Sequence, residues 1–130
     1  CGTYYDISLS GARMKTYDCV EMKLDKEPFE KIKSGEKTIE LRLHDEKRRK
    51  IRIGDIIVFT CRDGGERLAM RVKALHVFAD FRELYFSLDL LKCGYTPANV
   101  RAAKPGDMEK YYSAAEQAEY GVIGIELDRF

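Results

Sequence analysis

The stretch "GEKTIELRLH", residues 35–44, places Lys37, Thr38, Glu40, Arg42 and His44 in close succession. Side chains alternate faces along a strand, so Thr38, Glu40, Arg42 and His44 share one side and Ile39, Leu41 and Leu43 the other. Lys37 lies at the turn entering the strand, where parity does not set its direction. A glutamate and an arginine two apart on one face can hold each other in a set geometry. A lysine, a glutamate and a threonine hydroxyl in a concave pocket make a workable set for proton transfer and nucleophile activation. Arg42 can grip a phosphate or a carboxyl group bidentately. Gly35, just before, permits close approach of a ligand to the backbone. The same pattern also describes the solvated face of an antiparallel strand, and the residues alone leave both readings open.

Two further groups could do chemistry. "KRRKIR" holds Lys47, Arg48, Arg49, Lys50 and Arg52, the main basic cluster of the chain. Such a cluster can hold nucleic-acid phosphates, with binding that falls steeply with salt, or it is a solvated loop balanced by Asp45 and Glu46. "YYS", residues 111–113, precedes Glu116, Glu119 and Tyr120. Helix capping accounts for Ser113 and Glu116. Tyr111 and Tyr112 cannot both be buried easily, so one of them is expected to cover a pocket mouth.

Absences narrow the chemistry. The sequence has no phosphate-cradling glycine loop and no serine elbow, which disfavours nucleotide-driven chemistry, hydride transfer and triad hydrolysis. The cysteines at 1, 19, 61 and 93 form no Cys-x-x-Cys pair and lie far from His44 and His76. No metal site and no cofactor are expected. His76 sits in an apolar strand pattern and reads as a satisfied sheet residue.

The elements that must position these residues follow from periodicity. "CVEMKLD" (19–25) alternates as a half-buried strand. "EPFEKIKSG" is a short helix: Pro28 suits a first helical position, Phe29 and Ile32 fall three apart, and Gly35 closes it. "TIELRLH" is the second strand, with Ile39, Leu41 and Leu43 expected to face inward. "IRIGDIIVF" is a strand approach, a turn at Gly54-Asp55 and a strand buried on both sides. "RDGGE" is a hairpin signal, and 67–78 resumes alternation. Residues 79–95 change to helical spacing and end near Gly94, "TPANVRAAKPGD" reads as a linker, "SAAEQAEYG" is a capped helix, and "VIGIELDRF" is a final strand. Consecutive strands joined by turns point to an α+β fold. Its sheet is a small, mostly antiparallel β-barrel with helices packed outside and closing one end.

Of the residues, 45% are hydrophobic and 35% charged, with a net charge of +1, so electrostatic steering must come from a local patch. No run of about 18 apolar residues would span a membrane. Met14 suits an initiator, which makes residues 1–13 an appended or unusual leader and 14–130 a single domain. With no secretory signal, free thiols in the cytoplasm are expected.

Gly35, Lys37, Glu40 and Arg42 spell Gly-x-Lys-x-x-Glu-x-Arg, which resembles the signature of ASCH domains in the PUA-like superfamily. "IRIGDIIVF" and the closing "YYSAAEQAEYGVIGIEL" are similar to the corresponding parts of bacterial members. The resemblance runs from about residue 17 to 128. It implies a barrel of five or six strands, with a cleft between barrel and helices and the motif at its lip. It implies binding of RNA or a nucleoside or nucleotide ligand by Gly35, Lys37, Thr38, Glu40 and Arg42. One branch of the family removes an acyl group from N4-acetylcytidine. There a lysine matching Lys37 activates a threonine, and a glutamate from a distant segment assists. Glu40 occupies that threonine's position here, and Thr38 lies two residues away, so the mechanism does not transfer as it stands. The leading expectation is therefore a binding module, with residues 47–52 on the nucleic-acid backbone. The alternative is a small hydrolase of a modified nucleoside or RNA using Lys37 and Glu40, with Glu83, Glu119 or Glu126 as distal partner of Lys37.

Overall fold

The computed structural model describes residues 3–6 and 15–129. Six strands form one sheet in the order β1-β2-β4-β5-β6-β3. They are β1 (Thr3–Asp6), β2 (Lys15–Leu24), β3 (Ile39–Leu43), β4 (Ile56–Cys61), β5 (Arg67–Phe78) and β6 (Val122–Arg129). All neighbours are antiparallel except β2 and β4. The helices are α1 (Lys26–Ser34), α2 (Glu46–Arg49), α3 (Phe81–Ser87) and α4 (Ala114–Tyr120). The fold is mixed α+β, as the alternation and helical spacings indicate. The expected leader lies partly outside the described residues, but its Thr3–Asp6 pairs with Lys15–Asp18.

The five strands from β2 to β3 curl into a half-barrel that stays open between β2 and β3, where a closed barrel was expected. Other groups occupy the facing edges. Thr38 N and Ile39 N both donate to Lys92 O at 2.9 Å, so the turn after α3 covers the start of β3. On β2, Leu24 O accepts from Arg62 N on the β4 side. Successive peptide groups of a strand point opposite ways, so the carbonyls of Glu21 and Lys23 face the gap. Arg42 Nη2 reaches Lys23 O at 2.9 Å, and Lys47 Nζ reaches Glu21 O at 3.3 Å. Side chains, not a backbone ladder, bridge the seam.

Two cores lie on the two faces of the sheet. The concave side packs Met22, Ile57, Phe59, Val72, Ile123 and Ile125 against Phe29 and Ile32 of α1. Phe29 and Ile32 are essentially fully buried, worth roughly 1.5–3 kcal/mol each. The other side packs Ile39, Leu41, Leu43 and Val122 against Phe81, Leu84 and Tyr85 of α3 and the segment after it. This corrects the expected facing of β3. Ile39, Leu41 and Leu43 point to the helix-covered outer layer. Glu40 and Arg42 stand opposite Ile125 and Ile123 in register and share their concave side. Both faces of β3 are covered, because residues 78–112 fold back over the side that a lone sheet would leave wet.

Local signals account for most boundaries. Gly35, at φ +90°, ends α1, its N–H donating to Ile32 O. The helix begins at Lys26, so Pro28 sits within the first turn, not at its first position. No intrahelical acceptor exists there for its absent N–H. Ser113 and Glu116 cap α4 reciprocally. The span with helical spacing, 79–95, is α3 followed by turns to Gly94, and the expected linker holds 3₁₀ turns at Val100–Ala102 and Pro105–Lys110. Cys61 and Cys93 are free and buried, as expected, whereas Cys19 is disulfide-bonded, contrary to the expectation of free thiols. Among the described residues no helix is long and apolar enough to cross a membrane.

Candidate functional site

The turn between α1 and β3 delivers Lys37. Its backbone N–H donates to Lys31 O at 3.0 Å, continuing the helix end past Gly35. Its side chain then runs along Gly94, where an added Cβ would lie 3.4 Å from Lys37 Cδ. Gly94 adopts φ +110°, a conformation open to glycine and strained for other residues. Lys31 Nζ donates to Gly94 O at 2.8 Å and ties this turn to α1.

Lys37, Glu40 and Arg42 form one buried ionic cluster. Lys37 Nζ lies 2.8 Å from Glu40 Oε1, and Arg42 Nη2 lies 2.8 Å from Glu40 Oε2. Arg42 Nε donates to the same Oε2 at 3.0 Å. The Glu40 residue is only 3% exposed. Burial pushes its carboxyl group upward, but the Lys37 and Arg42 charges outweigh that and hold it below the usual carboxylate range. Glu40 therefore stays ionised at neutral pH, between two cations. The cluster carries a net positive charge and suits an anionic partner. Arg42 has spent Nε and Nη2 on Glu40 and Lys23 O, so only Nη1 lacks a protein acceptor among the described residues. It can offer one amino group to a ligand, not the bidentate grip expected of it.

The cluster opens on a cleft of about 560 Å³. Lys23, Lys31, Lys37, Arg42, Arg62 and Lys110 line it with Asp25, Glu27, Glu40 and Asp107, a modest excess of positive charge. Tyr85, Tyr95, Tyr111 and Tyr112 line it as well, with Lys110 Nζ over the Tyr111 ring and Asp107 bonded to Tyr95. Tyr112 stacks on Phe81, with ring centroids 6.0 Å apart and planes at 20°. Tyr111 is 59% exposed, whereas Tyr112 is half-buried. Tyr85 and Tyr95 meet edge to face, with hydroxyl oxygens 2.7 Å apart, and Tyr95 Oη donates to Asp107 Oδ2 at 2.8 Å. Cys93 also lines the cleft, and burial pushes its thiol up to about 12.

Several expected site residues stand elsewhere. Gly35 caps α1 and does not line the cleft. Thr38 is likewise absent from the lining, its backbone committed to Lys92 O and Leu127 N. His44 lies past β3, where burial and then Arg49 hold its imidazole below the usual range. None of Lys47, Arg48, Arg49, Lys50 and Arg52 lines the cleft. Three are engaged by the protein itself: Lys47 on Glu21 O, Arg48 on Asp45, and Arg49 on His44 O and Tyr120 O. Apart from Asp45, the acceptors are backbone carbonyls, which a count of charges in the sequence does not show. Asp45 also caps α2, accepting from Arg48 N. Lys37 pairs with Glu40 itself, and not with the three distal candidates. Glu83 accepts from Ala79 N, Glu126 pairs with His76 at 2.6 Å, and Glu119 is exposed. That pair makes His76 the satisfied sheet residue its pattern indicated.

The sequence reading missed Lys31, Tyr85, Cys93, Gly94 and Asp107. Tyr85 is hidden in the apolar period of α3. Asp107 sits in a stretch that reads as a linker, although Lys104-Pro105 followed by an aspartate at 107 is a helix-start signal. Its carboxylate accepts from Lys104 N at 3.1 Å. Nothing local indicates that these residues face Lys37.

No match is found among curated proteins. Two solved structures are similar over most of their length. The crystal structure of hypothetical protein PH0355 is 34% identical, covers 86% of this chain and 99% of its own, and superposes with a TM-score of 0.70. The solution structure of protein PF0455 from Pyrococcus furiosus is 37% identical, covers 85% and 96%, and gives a TM-score of 0.64. The curled sheet and its helices fit a PUA-like fold with the barrel left open. The ASCH domain model matches residues 22–129, which contain β3 and the whole cleft lining, and this chain therefore belongs to the ASCH domain family.

Proposed function

We propose that the cleft binds one nucleotide unit, either free or at an exposed position of RNA. The observation that carries this reading is the make-up of the cleft. Lys37, the free amino group of Arg42 and four tyrosines line one volume of about 560 Å³. That volume suits a small ligand. Cations would take the phosphate, and the tyrosines would take the base by stacking, at about 1–3 kcal/mol per base. Family membership supports the same ligand class. Residues 47–52, largely bound to the protein's own groups, have no part in this reading. The test is titration with short single-stranded RNA and with nucleoside monophosphates at low salt. Lys37→Ala should weaken binding about tenfold or more, the scale of a lost charge-assisted contact. No binding of RNA or of any nucleotide by the wild-type chain refutes the proposal.

A second reading is supported by the 2.8 Å contact between Lys37 Nζ and Glu40 Oε1 in a nearly dry setting. In a hydrolase, the ionised Glu40 would take a proton from water while Lys37 gives one to the leaving group. Turnover of N-acylated nucleosides or short RNAs by wild type, abolished in Glu40→Gln, would establish it. No turnover across that panel counts against it.

A further inference from the structure

The hydrogen-bond chain among the cleft tyrosines has a direction. Asp107 is ionised: the Lys104 backbone N–H and the Tyr95 hydroxyl hold its carboxyl group below the usual range, so it only accepts. Burial, chiefly, raises both the Tyr95 and the Tyr85 phenol, so each keeps its one proton at neutral pH. Tyr95 spends that proton on Asp107 Oδ2 at 2.8 Å. The 2.7 Å contact between the two hydroxyls must then use the proton of Tyr85. Tyr85 is left with lone pairs and no proton to give, and it makes no other hydrogen bond among the described residues. It is only 8% exposed and lines the same cleft as Lys37 and Arg42.

We infer that the Tyr85–Tyr95–Asp107 chain makes the Tyr85 hydroxyl an acceptor-only contact, and that it selects nucleotides bearing an exocyclic amino group over their keto counterparts. This rests on the nucleotide reading of the cleft and adds a specificity-determining residue to it. With the phosphate held by Lys37 and Arg42, the base reaches the tyrosines. An amino group there donates to Tyr85 Oη. A keto oxygen there sets lone pairs against lone pairs and leaves both groups unpaired in a poorly hydrated place. The device depends on Tyr95, which does not itself need to touch the ligand. Without the Tyr95 hydroxyl, the Tyr85 proton becomes free and the preference should invert or vanish.

The experiment is calorimetric titration of the full chain with two matched pairs, AMP against IMP and CMP against UMP. In each pair that binds, the amino member should bind about tenfold tighter, the scale of one mispaired buried polar group. Tyr95→Phe should bring that ratio to one or below by improving the keto member, an outcome that mere loosening of the wall would not produce. Tyr85→Phe removes the acceptor and should bring the ratio near one without favouring either member. If Tyr95→Phe fails to fold, the wild-type ratio and Tyr85→Phe still decide. Equal affinities in the wild type, or tighter keto members, overturn the inference and leave the nucleotide site standing. An amino preference that persists in Tyr95→Phe also overturns it. No binding of any of the four nucleotides overturns this inference, and the site reading falls with it only if short single-stranded RNA also fails to bind.

Discussion

Glu40→Gln tests the buried cluster. The substitution keeps the shape of the side chain and removes the charge between Lys37 and Arg42, each with a nitrogen 2.8 Å from it. Two cations then remain together, with side chains 10% and 13% exposed. Breaking a buried pair by removing one partner costs about 3–5 kcal/mol. The amide oxygen can still accept one bond, so the low end, about 3 kcal/mol, is expected at pH 7. For a chain of this size that lowers the melting temperature by roughly 10 °C. The pH dependence follows from the lowered Glu40 carboxyl. Its folded-state pKa lies below the ordinary value of 4.5, so its contribution is complete above 4.5 and is lost as pH falls through the folded value. The gap between wild type and Glu40→Gln should therefore narrow on acidification below 4.5. Urea unfolding followed by far-ultraviolet circular dichroism at pH 7 and pH 3 measures both quantities. Adding Lys37→Met should recover part of the loss, because one stranded cation is gone. A Glu40→Gln variant within about 0.5 kcal/mol of wild type at pH 7, or a gap that widens on acidification, would refute the reasoning.

Other residues give quicker checks. Gly94→Ala forces a side chain into φ +110° against Lys37 and should cost about 1–2 kcal/mol, with weaker nucleotide binding in the same titration. The Cys93 thiol, buried and pushed up to about 12, should resist a thiol reagent at pH 8 until denaturant is added. Rapid modification of the native chain at that position would contradict its packing. Neutralising Arg48 and Arg49 should lower thermal stability while leaving the salt slope of RNA binding close to wild type. Both are tied to the protein, and neither lines the cleft. Phe81→Ala should cost about 3–5 kcal/mol by denaturant unfolding, since its ring is fully buried and carries Tyr112.

Much of the molecule was legible in the residues alone. Alternation in 19–25 and 67–78 marked strands, and "VIGIELDRF" marked the last one. Phe29, Ile32 and Gly35 marked a short helix and its end, Ser113 and Glu116 a cap, and Gly64-Gly65 a hairpin. These are local facts: backbone dihedrals, capping bonds and period-two burial involve neighbours in sequence. The spacing of Gly35, Lys37, Glu40 and Arg42 was equally local, and it sufficed to identify the family.

The tertiary structure decided what those side chains face. Parity placed Glu40 and Arg42 together but could not tell concave from outer side, because the covering segment, 78–112, lies more than thirty residues further along the chain. The same distance hid Gly94 behind Lys37 and brought four tyrosines into the same cleft. It also decided the fate of charge. In sequence, 47–52 is a basic run; in space, its cations reach carbonyls of Glu21, His44 and Tyr120 that no local pattern reveals. Hydrogen bonds and ion pairs act over a few ångströms, and only folding brings their partners within that range.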